Sequence, residues 1–246
     1  MKTILNTLAR CATAGAVLAA ATPVGAATIQ LKAATFIIEY NSSAEDIGVQ
    51  GFLDSEGWRE IEIIAPTGEE IFSAEAESRL LRQGGGTELF FESVEPPTSE
   101  LPIATFFRRF PAGTYKFRGV DPAGNRLVAD VKFSHRVPAG PEILLPAPAA
   151  GEECAQNVPA NSVVVAWNPV TETIFGNPVE IVRYEVIVES EAQIPNFDVR
   201  FPVKVGTMLT VSPELLEPGT EYIGEVLAIE KGGNQTITEF CFSTAP

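Results

Sequence analysis

The sequence predicts an all-β protein of two tandem β-sandwich domains behind an export signal. Three observations carry the prediction. Short runs of alternating apolar and polar residues recur along most of the chain. The 19 prolines and 20 glycines are spread between those runs, as many short strands joined by turns require. Only one segment carries an apolar stripe with helical spacing. A length of 246 residues is enough for two domains of roughly 100–150 residues, each with its own core, and a hydrophobic content of 45% argues against global disorder.

Residues 1–26 read as a signal peptide. Lys2 and Arg10 give a positive start, residues 11–21 are almost purely apolar or small, and Val24-Gly25-Ala26 is a small-residue cleavage motif. The mature chain is expected to begin at Ala27 and to reach the periplasm or the medium. The apolar run is too short to cross a hydrocarbon core of roughly 30 Å, and no later segment is long and apolar enough for a membrane span. Cys11 does not fit a lipoprotein signal, because Arg10 stands where a small residue is needed. The formal charge is −15, and losing Lys2 and Arg10 with no acid takes the mature chain to −17. So acidic a chain repels phosphate backbones and anionic lipid heads, which argues against nucleic acid as a partner.

Val137-Pro138-Ala139-Gly140-Pro141 reads as a short stiff connector between a first domain over 27–137 and a second over 138–246. In the second, Val163, Val165 and Trp167 alternate with Val164 and Ala166 and stop at Asn168-Pro169. Tyr184, Val186 and Val188 alternate with Glu185, Ile187 and Glu189. Leu216-Glu217-Pro218-Gly219-Thr220-Glu221-Tyr222 leads into a strand with Tyr222, Gly224, Val226 and Ala228 on one face. Lys231-Gly232-Gly233-Asn234 is a hairpin turn before a last strand over 235–243. Taken together, Trp167, the Ile181…Tyr184-Glu185-Val186 strand and the Leu216-to-Tyr222 run with Ala228 and Gly233 resemble a fibronectin type III domain over residues 140–246. The resemblance implies a β-sandwich with Trp167, Tyr184 and Tyr222 in its core, the Tyr222 hydroxyl bonding back to backbone a few residues upstream. The departure is Gly224, where the family carries a larger residue; the space suits a neighbouring aromatic such as Phe197 or Phe201. There is no Arg-Gly-Asp sequence.

Signal cleavage leaves two cysteines, Cys154 and Cys241, and two cysteines in an exported chain are a natural disulfide pair. The sandwich topology that the resemblance implies brings them together. Cys154 falls between the first and second strands, at the end of the domain away from the connector, and the last strand finishes at that end near Cys241.

The first domain reads as an immunoglobulin-like sandwich with one short helix near 99–110. Strands are expected over 36–40, 49–53, 61–65, 70–73, 88–92, 114–120 and 126–135, the last two joined by a type I turn at Asp121-Pro122-Ala123-Gly124. In the helix, Ser99 is the expected cap, Glu100 suits the first turn, and Ile103, Phe106, Phe107 and Phe110 form the apolar stripe.

No catalytic signature is present. The one histidine, His135, is a poor start for a triad or metal cluster. There is no Gly-x-Ser-x-Gly, His-Glu-x-x-His, phosphate loop or Cys-x-x-Cys, and no cofactor is expected. Loop carboxylates at Glu45-Asp46 and Asp54-Ser55-Glu56 are weak candidates for calcium, in a spacing that matches no EF-hand. Two features carry alternative readings. Trp58, after a likely turn, is either a core residue or a platform for a sugar ring or partner. Phe106-Phe107-Arg108-Arg109-Phe110 either docks its helix, with the arginines meeting acids such as Glu100, or presents Arg108 and Arg109 to a partner. The expected function is that of a non-enzymatic, exported binding or structural module with a protein or polysaccharide partner at the cell envelope. The alternative is a glycan-binding accessory protein of an extracellular hydrolase system. An exposed aromatic platform would favour glycan, and a flat apolar patch protein.

Overall fold

The computed structural model describes residues 25–190, 197–204 and 206–246, so the expected signal peptide over 1–26, apart from Gly25 and Ala26, lies outside the described residues. In the first half the strands are β1 (Thr28–Gln30), β2 (Ala33–Asn41), β3 (Asp46–Trp58), β4 (Glu60–Ile64), β5 (Glu70–Glu75), β6 (Gly86–Glu92), β7 (Gly113–Val120) and β8 (Arg126–Phe133), with helices α1 (Ser78–Gln83) and α2 (Ile103–Arg109). In the second they are β9 (Ile143–Leu145), β10 (Ala155–Val158), β11 (Val164–Trp167), β12 (Ile181–Ser190), β13 (Phe197–Val203), β14 (Met208–Thr210), β15 (Glu221–Glu230) and β16 (Gln235–Thr244). The result is an immunoglobulin/fibronectin type III-like all-β fold.

One long sheet serves both halves. Its order is β13-β12-β15-β16-β2-β3-β6, with β10 added beside β16. A five-stranded sheet, β1-β8-β7-β4-β5, covers the first-half strands, and a three-stranded sheet, β14-β11-β9, covers the second-half strands. Each pair of layers encloses its own core. Phe36, Ile38, Ile47, Val49, Leu53, Ile61, Ile63, Tyr115 and Phe117 fill the first. Val163, Val165, Trp167, Val186, Val188, Tyr222, Val226 and Phe242 fill the second. Each large apolar side chain so buried contributes about 1.5–3 kcal/mol.

The halves are joined by strand pairing as well as by the connector. β16 runs parallel to the end of β2 through Glu39↔Gln235, Tyr40↔Thr236 and Asn41↔Ile237, while its other end carries β10 through Ala155↔Phe242. The Val137–Pro141 connector is packed into this seam. Val137 is buried in the first core, the Pro138 carbonyl accepts from Thr236 Oγ1 at 2.7 Å, and Gly140 lies against Ser42 and Thr238. Asn234 fastens the same place: its Oδ1 accepts from the Ile38 N–H at 2.9 Å, and its Nδ2 donates to the carbonyls of Ser134 at 3.0 Å and Arg136 at 3.3 Å.

The structure departs from the local expectations in four places. β3 runs unbroken through Asp54-Ser55-Glu56, because a register shift against β6 between Asp54 and Trp58 absorbs what reads as a turn. α2 starts after Pro102 and has no side-chain cap. Leu101 precedes a proline and is disfavoured in the α region, so a helix capped at Ser99 cannot pass through it. α1 is additional; it buries no residue, so it carries no apolar stripe to read. Finally, the ring filling the space beside Gly224 belongs to Phe240 on the paired strand, and a Cβ at Gly224 would run into it.

The tyrosine corner is present. Tyr222 Oη accepts the Glu217 N–H at 2.7 Å. The first half has a counterpart that sequence reading missed: Tyr115 Oη donates to the Pro111 carbonyl at 3.1 Å, within Pro111-Ala112-Gly113-Thr114-Tyr115, which parallels Pro218-Gly219-Thr220-Glu221-Tyr222. Both Tyr222→Phe and Tyr115→Phe are expected to cost about 1 kcal/mol in urea unfolding of the protein; no change in either midpoint would remove that corner from the account.

Candidate binding surface

Residues paired across neighbouring strands project to the same side of a sheet, and alternate residues to opposite sides. Since both cores lie on one side of the long sheet, the other side is a continuous outer face. The register defines its rows. Arg200, Ile187, Glu225 and Glu239 form one across β13, β12, β15 and β16. Glu185, Leu227, Ile237, Asn41 and Asp46 form the next, reaching β2 and β3. Gln235 and Glu39 lie beyond it, with Gln50 and Glu92 paired between β3 and β6. Thus residues nearly 200 positions apart share one surface.

At the seam this face holds a groove of about 320 Å³, lined by Glu39, Gln50, Phe90, Glu92, Glu185, Ile187, Arg200, Glu225, Leu227, Gln235 and Ile237. The apolar layer beneath it is already closed, with Ile187 4%, Leu227 3% and Ile237 8% exposed. Ile187, Leu227, Ile229 and Ile237 form a small buried cluster outside both sandwich cores. Phe90 stands on the wall with 60% of its surface exposed.

The walls are acidic. Glu39 is only 6% exposed and is bonded by Gln235 Nε2. Burial pushes its carboxyl up to about 8, with Gln235 opposing and Glu95 and Glu92 adding repulsion. Glu95 is pushed up to about 7 by burial, then by Glu92 and Asp46. Its Oε1 is sealed from solvent without a donor. Gly48 makes room for this side chain, since a Cβ there would meet the Glu95 carboxylate. Glu225 is pushed up to about 7 by burial, then by Glu189 and Glu239. Glu92 accepts from Gln50 Nε2 at 2.8 Å. The carboxylates of Glu39, Glu92 and Glu95 offer oxygens within 4.8 Å of one another, close enough to share a cation. Arg200, the one cation lining the groove among the described residues, sits 3.8 Å from Glu185 and 3.7 Å from Asp198.

The likeness to known proteins is distant and one of structure only. No protein-family model and no curated protein matches the chain. Among solved structures it is similar to the FN5 domain of Drosophila Lar, at 20% identity over 45% of this chain and 99% of that one, with a TM-score of 0.30. It is similar to a protein described as a myokine, at 20% identity over 46% and 100% with a TM-score of 0.29. It is also similar to a bacterial ice-binding adhesin of 1.5 MDa, at 12% identity over 90% and 66% with a TM-score of 0.27.

The residues singled out from sequence lie elsewhere than the groove. Cys154 and Cys241 form a disulfide with Cα atoms 4.8 Å apart. Trp167 and Tyr184 meet edge to face in the second core at 5.2 Å, and Tyr184 Oη accepts the Val170 N–H at 2.8 Å. Trp58 is in the first core, 6% exposed, with its ring against Gly86; it forms no surface platform, because β3 turns that residue inward. Asp54 and Glu56 face Lys32 at 3.9 and 2.9 Å, on a strand and not on a loop. Arg108 and Arg109 are exposed at the end of α2. Arg108 donates to Thr105 Oγ1 at 2.8 Å, and neither arginine forms an ion pair with Glu100 among the described residues. Phe106 is the buried anchor of α2. His135 is a latch: its ring stacks on Phe107 at 3.9 Å, and Nε2 lies 2.8 Å from the Phe110 carbonyl.

Sequence reading missed Glu39, Glu95, Glu225 and Gln235. The one local signal was the abundance of glutamate on strands. Glu39, Glu92 and Glu95 become neighbours through the β2-β3-β6 pairing, and the β2–β16 pairing brings Glu225 and Gln235 beside them.

Proposed function

We propose that the chain is an exported, non-enzymatic binding or structural module of two sandwich domains, over 27–137 and 138–246, whose partner is a protein at the cell envelope. The observation that carries this reading is the continuous outer face of the shared sheet: a surface crossing both halves, with an acidic groove at the seam and the exposed Phe90 on its wall, and no covering layer among the described residues. A disulfide suits an oxidising compartment. No helix among the described residues is long and apolar enough to cross a membrane. Both tryptophans are buried, so neither offers the platform that a glycan-binding accessory protein would use, and this favours protein over polysaccharide.

Two measurements test the reading. Intact mass of the exported protein is expected to correspond to a chain starting at Ala27; a mass retaining residues 1–26 would make that segment an anchor. The purified mature chain is expected to co-sediment with envelope material, and protease treatment of that material is expected to abolish this. Survival after protease but loss after periodate would establish the polysaccharide alternative, and no co-sedimentation with either would overturn the module reading.

A further inference from the structure

The first strand is short and is fastened at both ends. β1 has three residues, all exposed. It lies at the edge of the five-stranded sheet and pairs in parallel with β8 through Thr28↔Arg126, Ile29↔Leu127 and Gln30↔Val128. It thereby covers an edge of β8 that would otherwise be open to pairing with another chain. At its far end the Leu31 N–H donates to the Val128 carbonyl at 3.0 Å, and the Leu31 side chain is buried in the first core. At its near end Ala27 is bonded through both backbone groups. Its carbonyl accepts the Arg126 N–H at 2.7 Å, and its nitrogen donates to Asn125 Oδ1 at 3.0 Å. The turn after β7 is built to present that oxygen. Asp121 Oδ1 accepts the N–H groups of Ala123 and Asn125, both at 2.8 Å, and Asp121 Oδ2 accepts Asn125 Nδ2 at 2.8 Å. The Asn125 amide is therefore turned with its donor on the carboxylate and its acceptor on Ala27, and the carboxylate behind it makes that acceptor more negative. Desolvation opposes charge on Asp121, and the bonds from Asn125, Ala123 and Gly124 outweigh it, so its carboxyl lies below the usual carboxylate value. Ala27 N is also the atom that cleavage after Ala26 converts from an amide into an α-ammonium. Gly25 and Ala26, just before it, are exposed.

We propose, resting on the cleavage reading above, that the Asp121–Asn125 turn is a receptor for the amino terminus that signal cleavage creates, and that its capture by Asn125 Oδ1 fastens β1 onto the edge of β8. The cleavage is a hydrolysis by a peptidase of the export route. Water supplies the new oxygen of the Ala26 carboxylate and the two protons that turn the Ala27 amide into an ammonium. An amide gives Asn125 a neutral hydrogen bond, whereas an ammonium gives a charge-assisted one of roughly twice the strength. It also sets a cation against the dipole of an amide whose other end rests on Asp121. The charged groups around it are Asp121, Arg126 opposite Thr28, and Glu60 farther along the same row opposite Val120. Arg126 is exposed, so solvent and salt screen its opposition, while the bond to Asn125 is direct. The captured form is the charged one, so the amine's pKa is raised above its ordinary value of about 7.7–8.0. The fastening is complete below that ordinary value and is lost as pH rises through the raised one.

The test uses a chain over residues 27–246, released from a fusion so that Ala27 is its first residue, against the same chain acetylated at that amine. In a pH titration followed by NMR with labelled alanine, the Ala27 methyl signal is expected to titrate at higher pH in the folded chain than in the urea-unfolded one. Asn125→Ala is expected to remove that difference. The Leu31 and Arg126 amides donate across β1 and β8. In hydrogen exchange at pH 6.5 both are expected to exchange several-fold faster after acetylation and in Asn125→Ala, with the acetylated variant no faster than the variant itself. Acetylation replaces no side chain, so it serves as the second measurement should Asn125→Ala disturb the turn. An amine that titrates alike in both states, exchange unchanged by acetylation, or losses that add in the acetylated variant would each overturn the proposal. An exported protein whose mass retains residues 1–26 removes the cleavage reading and this proposal with it. A mass starting at Ala27 beside an unshifted amine removes the capture alone.

Discussion

Trp167→Ala is expected to destabilise the protein by about 3–5 kcal/mol in denaturant unfolding. The indole is 1% exposed. It lies where β11 carries its inward face across to β12, edge to face with Tyr184. Truncation removes the largest fully buried side chain and leaves a cavity that neighbours on a hydrogen-bonded sheet cannot close without breaking ladder bonds. The two tryptophans of the protein stand one in each core, so the variant retains Trp58 as a fluorescent reporter of the first half. The shared sheet predicts that the Trp58 transition shifts to lower denaturant as well, because loss of the second core frees β16 and with it the β2 pairing. A change below about 1 kcal/mol would be incompatible with the packing of Trp167. An unmoved Trp58 transition would show that the seam does not couple the halves.

Removing the disulfide is expected to have the next largest effect. Cys154→Ser/Cys241→Ser should cost about 2–4 kcal/mol, against a chain-entropy upper value of ~4.6 kcal/mol for a loop of this size. The bond spans 87 positions. It joins the start of β10 to the end of β16, where the two strands run parallel through Ala155↔Phe242 and Val158↔Thr244. That ladder is short and irregular and lies at the end of the sheet, so the covalent link holds a register that few hydrogen bonds maintain. Thiol titration of an unfolded, unreduced chain over residues 27–246 should find none. Two titratable thiols per chain, or an unchanged unfolding midpoint in the double variant, would rule this out.

The rest of the behaviour follows from which facts are local. Period-2 alternation in Val163, Val165 and Trp167, or in Tyr222, Gly224, Val226 and Ala228, is a property of consecutive residues, and the strands formed there as the pattern required. The Asp121–Gly124 turn closes β7 onto β8, with the Gly124 N–H on the Asp121 carbonyl at 3.0 Å. The Leu-x-Pro-Gly-Thr-x-Tyr run carries its tyrosine corner within six residues. The disulfide was legible because the topology implied by those motifs set both cysteines at one end of a sandwich. Less was legible where burial on both faces blurs alternation. In β15, Leu227 and Ile229 are buried outside the core, alongside Val226 and Ala228 within it, so the run reads as a core strand with no outward face of its own.

The candidate groove was not legible at all. Its acids come from β2 and β6 in the first half and from β12 and β15 in the second, and the two sets meet because three residues of β16 pair in parallel with three of β2. No turn or period encodes that contact. It is chosen by the collective fit of two cores, by Asn234 reaching across to the Ile38 N–H, and by the connector folding into the seam. The sequence by itself therefore determined most of the strands and the Tyr222 corner, whose causes are local sterics and alternation, and it gave the cysteine pair through the topology that the resemblance implies. Only the tertiary structure decided which glutamates share a surface, because in a sheet neighbours are set by strand order and register, and these are fixed by packing between segments far apart in the chain.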